Sequence, residues 1–394
     1  MADIIEPAVP AREESMMRIT WLTAAAVIAI SATGSAQSIT LPPSGDNQRS
    51  EVIQQIGMVR ASIEYSSPDV HAPNGDDRRG KIWGTLVPYG IYDLGYNNRK
   101  GPWRAGANEN TVFTVSHPVK INGQPLPAGR YGIHMIAGQQ DWTLIFSKNS
   151  TSWGSFSYDQ AEDALRVTVK PEKAPYHEWL TYEFIDRKPD RATVALAWED
   201  ISVPFTITVD DMAGLYIDNM RRELRNFPGF RWQEWQAAAQ YCLQQNRNLD
   251  EALTWAENAI SIPGVGQANF GTLSTKAQIL EKLSRNSEAA TVMTTAMDLP
   301  NALPTEIHQY GRRLLAQGNA KDAMAVFQKN AKRFGDAWPV HVGLTRGYSA
   351  TGDYKTALKH AEIALTQAPD TLNRKSLEDA IVRLKQGHDM NATR

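Results

Sequence analysis

The stretch GPWRAGANENT, residues 101–111, gathers the side chains of this sequence that are best suited to chemistry. Arg104 offers a guanidinium fork, Asn108 an amide and Glu109 a carboxylate, close to the indole of Trp103. One interpretation is a ligand site in which Trp103 is a stacking platform and the other three bind a sugar or a carboxylate. The other is a packed sheet corner in which Trp103 fills the core and Arg104 pairs with Glu109, because a buried charge needs a partner. The sequence favours the packed corner and keeps ligand binding as the alternative.

Most catalytic signatures are absent: the sequence contains no G-x-S-x-G, no H-E-x-x-H, no phosphate loop and no paired C-x-x-C. His134 lacks partners at metal-ligand spacing and is predicted to be a satisfied strand histidine. Three aspartates near one another lack the residue order of a calcium loop: Asp69, Asp76 and Asp77. We therefore predict no metal and no cofactor. A glycosidase would need a second carboxylate beside Glu109, for which the sequence offers no obvious partner and only the candidates Asp141, Asp159 and Glu199.

Composition narrows the class of protein. The 394 residues carry a formal net charge of −2, and no basic block is large enough to predict nucleic-acid binding. Cys242 is the single cysteine, so the chain has neither an internal disulfide framework nor a cysteine metal site. The length is sufficient for two or three domains.

The N-terminus predicts export. Arg18 precedes an apolar run from Ile19 to Ala32, and small residues then lead to a cleavage site after Ala36. An uncleaved signal anchor is the alternative, although the run is short for a membrane span. Residues 1–15 fit no signal, which favours Met16 or Met17 as the start. We expect a mature chain outside the cytoplasm, periplasmic or secreted, without a membrane span.

Apolar residues alternate from about residue 50 to 210, as in Val59, Ala61 and Ile63. This period of two is typical of antiparallel strands that cover a core on one face. Asn122-Gly123 predicts a tight hairpin between two of them. The spacing predicts eight to ten strands, and hence an antiparallel β-sandwich or barrel over residues 37–210, behind an N-terminal extension and signal peptide at 1–36.

After Asp210 the period becomes helical, which predicts a linker helix at 211–232. Residues 233–388 then repeat themselves, with aligned alanines 37, 34 and 34 residues apart: Ala252, Ala289, Ala323 and Ala357. This spacing resembles tetratricopeptide repeats, in which small residues allow helices to approach closely. Four apolar residues near the end predict a capping helix: Leu377, Ala380, Ile381 and Leu384. A generic helical bundle is the alternative.

Six motifs in order resemble a bacterial family, the domain of unknown function 2911, over roughly residues 50–210. They are QQIGMVRASIEYSSPDV, GKIWGTLVPYG, PWRAGANENT, LPAGRYGIHMI, DWTLIFSK and WGSFSYDQAEDALRV. The resemblance implies export and, in some members, a helical-repeat tail, but no assigned activity. The W-R-x-G-A-N-E motif of the family falls on Trp103, Arg104 and Gly106 through Glu109.

Two functions follow as hypotheses. The first is a non-enzymatic interaction protein of the cell envelope, whose concave helical surface binds another protein or a peptide. The second is an enzyme or a small-ligand-binding domain that acts on an envelope carbohydrate or a similar polar molecule through the corner from Trp103 to Glu109. The catalytic residues of such an enzyme are not identified by the sequence.

Overall fold

The computed structural model describes residues 47–392, in which twelve strands precede ten α-helices. The predictions of a start site, signal peptide and cleavage after Ala36 lie outside the described residues. The last strand ends at Thr208 and the first helix begins at Met212, where the hydrophobic period changes. Within residues 47–392, no helix is long and apolar enough to cross a membrane.

The strands form antiparallel sheets. Their bounds are β1 Gln48–Ile56, β2 Val59–Ser67, β3 Tyr92–Asp93, β4 Lys100–Gly101, β5 Thr111–Val115, β6 Val119–Ile121, β7 Gln124–Leu126, β8 Gly129–Ile136, β9 Trp142–Ser147, β10 Asp163–Val169, β11 Glu172–Lys188 and β12 Arg191–Thr208. One sheet has the order β1-β2-β5-β8-β9-β10 and a second has the order β11-β12-β6-β7. Strands β3 and β4 pair in a separate two-stranded ribbon.

The two larger sheets bury their apolar faces in one common core. Ile63 and Phe113 reach it from the six-stranded sheet, and Tyr182 and Phe205 reach it from the four-stranded sheet. The alternating residues that predicted strands lie in this core, which confirms the period-two interpretation. Among the described strands neither sheet closes on itself, so the barrel alternative is wrong for this region.

Strand number and length differ from the sequence prediction. Twelve strands are present among the described residues because two-residue and three-residue strands give no periodic signal. β12 is longer than its apolar pattern suggested, because it continues through Glu199, whose φ of 55° marks an irregularity in the ladder. The predicted hairpin is confirmed: Asn122 and Gly123 both have positive φ, 47° and 83°, as a type I′ turn requires.

The helical part begins with a connecting helix. The helices are α1 Met212–Glu223, α2 Trp232–Gln245, α3 Leu249–Ser261, α4 Phe270–Lys282, α5 Asn286–Asp298, α6 Pro304–Ala316, α7 Ala320–Phe334, α8 Trp338–Ala350, α9 Tyr354–Thr366 and α10 Thr371–Lys385. Met212 and Leu215 of α1 contact the sheet core, whereas Ile217 lies in the helical core. Helix α1 therefore packs on both halves of the chain.

Helices α2 to α9 form four helix pairs, and α10 covers the last pair, as the repeat pattern predicted. The four aligned alanines occupy the same place in α3, α5, α7 and α9, and each is at most 2% exposed. The turns before α7 and α9 contain Gly318 and Gly352, with φ of 82° and 84°. The equivalent residue before α5 is Ser284, a non-glycine residue with φ of 61°. All four apolar residues predicted for the cap are buried.

We call the face of the array that the first helices of the pairs carry its inner side. α2 approaches α4 and α6 approaches α8, whereas α4 and α6, and the second helices of successive pairs, do not approach one another as closely. The close approach of α6 and α8 is organised by Phe327 of α7, which is fully buried. A Cβ on Gly311 or Gly343 would come within 2.3 Å or 2.6 Å of its ring, so both helices need glycine there.

Candidate functional site

Trp103 lies in the core rather than at the surface. Its backbone pairs with Met135 of β8 through N–H···O bonds of 2.9 Å and 2.8 Å, which fix the start of the corner. The indole is 5% exposed and contacts three further tryptophans: Trp83, Trp142 and Trp198. The structure therefore supports the packed-corner interpretation for this residue, and its ring is not presented to solvent as a stacking platform.

The corner after Trp103 is held by backbone groups. Ala105, with φ of 51°, accepts hydrogen bonds from Thr111 Oγ1 at 3.0 Å and from Tyr182 Oη at 2.9 Å. The N–H of Ala107 donates to the carbonyl of Ser66 at 3.0 Å. These bonds connect the loop to β5, β11 and β2. The backbone that carries the polar side chains of the loop is therefore held in place.

Arg104 is half-buried and has no carboxylate partner among the described residues. Its Nη1 donates to the carbonyl of Asn108 at 2.7 Å. Its guanidinium carbon lies 5.1 Å from the ring centroid of Phe156, over the backbone of Gly154. Burial lowers the pKa of the Arg104 guanidinium, because removal from water disfavours the charged form.

The predicted pairing of Arg104 with Glu109 is wrong. Glu109 is half exposed, accepts a hydrogen bond from Ser66 Oγ at 3.2 Å and lies 3.9 Å from Arg49 Nη1. The reason is local backbone geometry: φ is positive at Asn108, 56°, so the chain turns between the two charges. The side chain of Asn108 accepts a hydrogen bond from Asn47 Nδ2 at 3.0 Å. A ligand-binding role for the corner stays a prediction.

Beneath Arg104 lies a buried Ser–His pair. Nδ1 of His134 is 2.8 Å from Ser155 Oγ, and each residue is 2% exposed. Burial lowers the pKa of His134 to about 4, and the positive charge of Arg104 adds to that effect. His134 is thus the satisfied strand histidine that the sequence predicted.

The other acidic candidates lie at separate places. Asp77 forms an ion pair with Arg79 at 2.6 Å, and Asp69 lies 3.6 Å from Arg78. Glu199 accepts a hydrogen bond from the backbone of Gly80, and Asp159 caps a short 3-10 turn. No contact joins Glu109 to Asp141, Asp159 or Glu199 within residues 47–392.

A second candidate site lies on the inner side of the helical array. Long polar side chains occupy the same position on successive first helices: Gln240, Gln278, Arg312 and Arg346. Arg346 is mostly buried, and its Nε has no hydrogen-bond partner among the described residues. Burial lowers the pKa of Arg346, and the charge of Arg312 lowers it further. Two neighbouring cations with an unused donor are suited to an anionic group.

His308 adjoins these arginines and also has an unused polar atom. It is 7% exposed, and its Nδ1 has no hydrogen-bond partner in the described part of the chain. Burial lowers its pKa to about 3, and the charge of Arg346 contributes. Because a neutral imidazole has one nitrogen that accepts and one that donates, His308 adds hydrogen-bonding capacity beside the arginines without adding charge.

The end of the described chain folds onto the same surface. Ser349 Oγ donates to Asp389 Oδ1 at 2.6 Å, and Arg346 Nη1 donates to Asn391 Oδ1 at 3.1 Å. Asn391 Nδ2 in turn donates to the carbonyl of Arg346 at 3.0 Å. Residues 389–391 are therefore an internal example of the carboxylate and amide groups that this surface accepts.

Sequence reasoning predicted a binding surface on the helical array, but it named neither Arg312 nor Arg346, and it did not identify the loop beside Arg104. Arg312 and Arg346 are 34 residues apart, so the repeat period would have placed them on one face. Gly154, Ser155 and Phe156 stand in the motif WGSFSYDQ, but nothing in their spacing indicates that they pack on Arg104.

Residues 47–207 match the model of the family described as "Protein of unknown function (DUF2911)". This confirms the resemblance that the six motifs indicated, over the sheet-rich part of the chain. Trp103, Arg104, Asn108 and Glu109 all lie inside the matched range. No curated protein matches the chain.

Solved structures similar to this chain include tetratricopeptide-repeat proteins. A thermophilic one from Thermus thermophilus is 17% identical, covers 43% of this chain and 91% of its own, and has a TM-score of 0.31. The C-terminal part of one from Cytophaga hutchinsonii is 17% identical, with 43% and 67% covered and a TM-score of 0.32. MamA from Desulfovibrio magneticus is 14% identical, with 41% and 97% covered and a TM-score of 0.26.

Proposed function

We propose that this chain is a non-catalytic interaction protein that acts outside the cytoplasm and binds an acidic segment of another protein on the inner side of its helical array. One observation carries the proposal: Arg346 is mostly buried beside Arg312, and its Nε has no acceptor among the described residues. Burying an unpaired donor is unfavourable, so a carboxylate delivered there by a partner would regain hydrogen bonds.

The tail at residues 389–391 defines the partner chemistry more closely. Asp389 and Asn391 present a carboxylate and an amide two residues apart to Ser349 and Arg346. A partner segment with the same spacing would compete with the tail. Because the tail is tethered, its local concentration is high, and the partner must bind with enough affinity to displace it.

Affinity capture from envelope extract tests the proposal. The full chain, the double variant Arg312→Gln/Arg346→Gln and the control Lys355→Gln/Lys359→Gln are used as baits, with circular dichroism as a check of folding. We expect proteins that are captured by the full chain and by the control, and lost with the arginine variant. Identical captures with all three baits would contradict an acidic partner at this surface. N-terminal sequencing of the exported protein tests the compartment, and we expect a start near Gln37.

The alternative is a small-ligand site at the family-matched corner, and the isolated charge of Arg104 favours it. The guanidinium donates one N–H to the carbonyl of Asn108 and has no carboxylate partner among the described residues. Its ligand would therefore be an acidic sugar or another carboxylate that lies against Phe156. Titration of the full chain with glucuronate, monitored by calorimetry, tests this. Heat that disappears in Arg104→Gln supports the site, and absence of heat contradicts it.

A further inference from the structure

The connection between α1 and α2 presents two phenylalanines to solvent. Phe227 and Phe230 are 75% and 72% exposed, and they are the first and last residues of a 3-10 turn. Side chains three apart on such a turn eclipse one another, so both rings project on the same side. Isolated exposed apolar residues are common, but two phenylalanines of this exposure within one turn form an apolar patch that indicates an interaction.

The turn that carries these rings is rigid. Trp235 Nε1 donates to the carbonyl of Gly229 at 2.8 Å, and Pro228 fixes the backbone at the start of the turn. A Cβ on Gly229 would come within 2.0 Å of the carbonyl oxygen of Leu224, so the turn lies directly on the end of α1. The backbone that carries the rings is therefore held in place, and little backbone entropy remains to be lost when the rings are buried.

Positive charge outweighs negative charge in the segment that carries the rings. Arg222, Arg225 and Arg231 are all exposed there, against one exposed carboxylate, that of Glu223. Arg231 lies 3.3 Å from Glu234 and Arg222 donates to Asn219, whereas the side chain of Arg225 has no described partner. An anionic bilayer has negatively charged headgroups above an apolar interior. The arginines are suited to the headgroups, and the aromatic rings are suited to the apolar layer below them.

We propose that the segment Arg222–Arg231 is a membrane-surface contact, in which Phe227 and Phe230 enter the headgroup boundary of a bilayer rich in anionic phospholipid. The arginines bind the headgroups, and burial of the two rings supplies the apolar contribution. Since this segment follows α1, which packs on both halves of the chain, membrane attachment here would hold both halves near the bilayer. The inference is independent of the partner proposed for Arg346.

Vesicle sedimentation with the full chain tests the contact. The vesicles are phosphatidylcholine alone or phosphatidylcholine mixed with phosphatidylglycerol. We expect the double variant Phe227→Ser/Phe230→Ser to bind the mixed vesicles more than about tenfold more weakly, because the apolar contribution of both rings is lost. Arg222→Gln/Arg225→Gln should weaken binding to mixed vesicles only. The apolar run Ile19–Ala32 can itself hold the chain on vesicles and hide the difference, so each variant is also compared as the chain that starts at Gln37.

Leu372→Ser is the matched control, because Leu372 is 78% exposed on a different element. It should bind vesicles like the unchanged chain, and all variants should unfold at the same temperature, since the altered side chains are exposed. Equal binding by the phenylalanine variant and the unchanged chain would overturn the proposal. So would a loss of self-association in the phenylalanine variant without any loss of vesicle binding, because the patch would then join two copies of the chain.

Discussion

Arg104 lies across the backbone of Gly154 so closely that a Cβ at residue 154 would come within 2.6 Å of its guanidinium carbon. Gly154 also has a φ of 58°, which disfavours any other residue. Gly154→Ala should therefore cost roughly 1–3 kcal/mol, about 1 for the backbone and the rest for the hydrogen bond to Asn108 that Arg104 loses when its guanidinium moves aside. Gly75→Ala is the control, because Gly75 has a φ of 90° but nothing within 4 Å of a Cβ. Equal costs in denaturant unfolding would contradict close packing of Arg104 on Gly154.

Arg104 and Glu109 should behave independently, since they contact different groups. We expect Glu109→Gln to cost under about 1 kcal/mol, as exposed ion pairs do. The double variant Arg104→Ala/Glu109→Gln should equal the sum of the single variants within about 0.5 kcal/mol. A double-mutant cycle by denaturant unfolding measures this. A coupling well above that value would restore the direct pairing that the sequence suggested.

His134 should make stability depend on pH. Burial lowers its pKa from 6.5 to about 4, so between these values the unfolded chain binds a proton that the folded chain does not. His134 therefore contributes its full stability above pH 6.5, and this is lost as the pH falls towards 4, by on the order of 3 kcal/mol. His134→Gln keeps a polar partner for Ser155 and removes the titration. The two stability curves should converge as the pH falls through this range, and parallel curves would contradict a neutral buried histidine.

Ser284 should be a weak point of the repeat array. It has a φ of 61° at the position that Gly318 and Gly352 occupy in later repeats. Ser284→Gly should raise stability by about 1 kcal/mol, because glycine adopts this backbone without steric cost. The reciprocal change Gly318→Ser should lower it by a similar amount. Thermal unfolding of the two variants checks the signs, and a destabilised Ser284→Gly would contradict the strain assigned to this turn.

The sequence by itself determined that a strand-rich region precedes a region of helix pairs. Side-chain periods of two and 3.6 are properties of local backbone geometry. The alternation of Val59, Ala61 and Ile63 therefore indicates a strand without tertiary information. The aligned alanines from Ala252 to Ala357 indicate helix pairs in the same way. The hairpin at Asn122-Gly123 is equally local, because only residues that tolerate positive φ form it. Short strands and the continuation of β12 through Glu199 depend on pairing with other strands, and local patterns do not contain that information.

Tertiary structure decided what the polar residues contact. Arg104 and Glu109 are close in the chain, yet positive φ at Asn108 separates them. Arg104 then packs on Phe156, and Glu109 lies near Arg49. Contacts of this kind join residues that are distant in sequence, and their energies depend on burial, which no spacing rule expresses. The same reason applies to Arg346 on the inner side of the array. The repeat period determines which face of the helix carries Arg346. Only packing against α6 and residues 389–391 leaves the Nε of Arg346 buried without an acceptor.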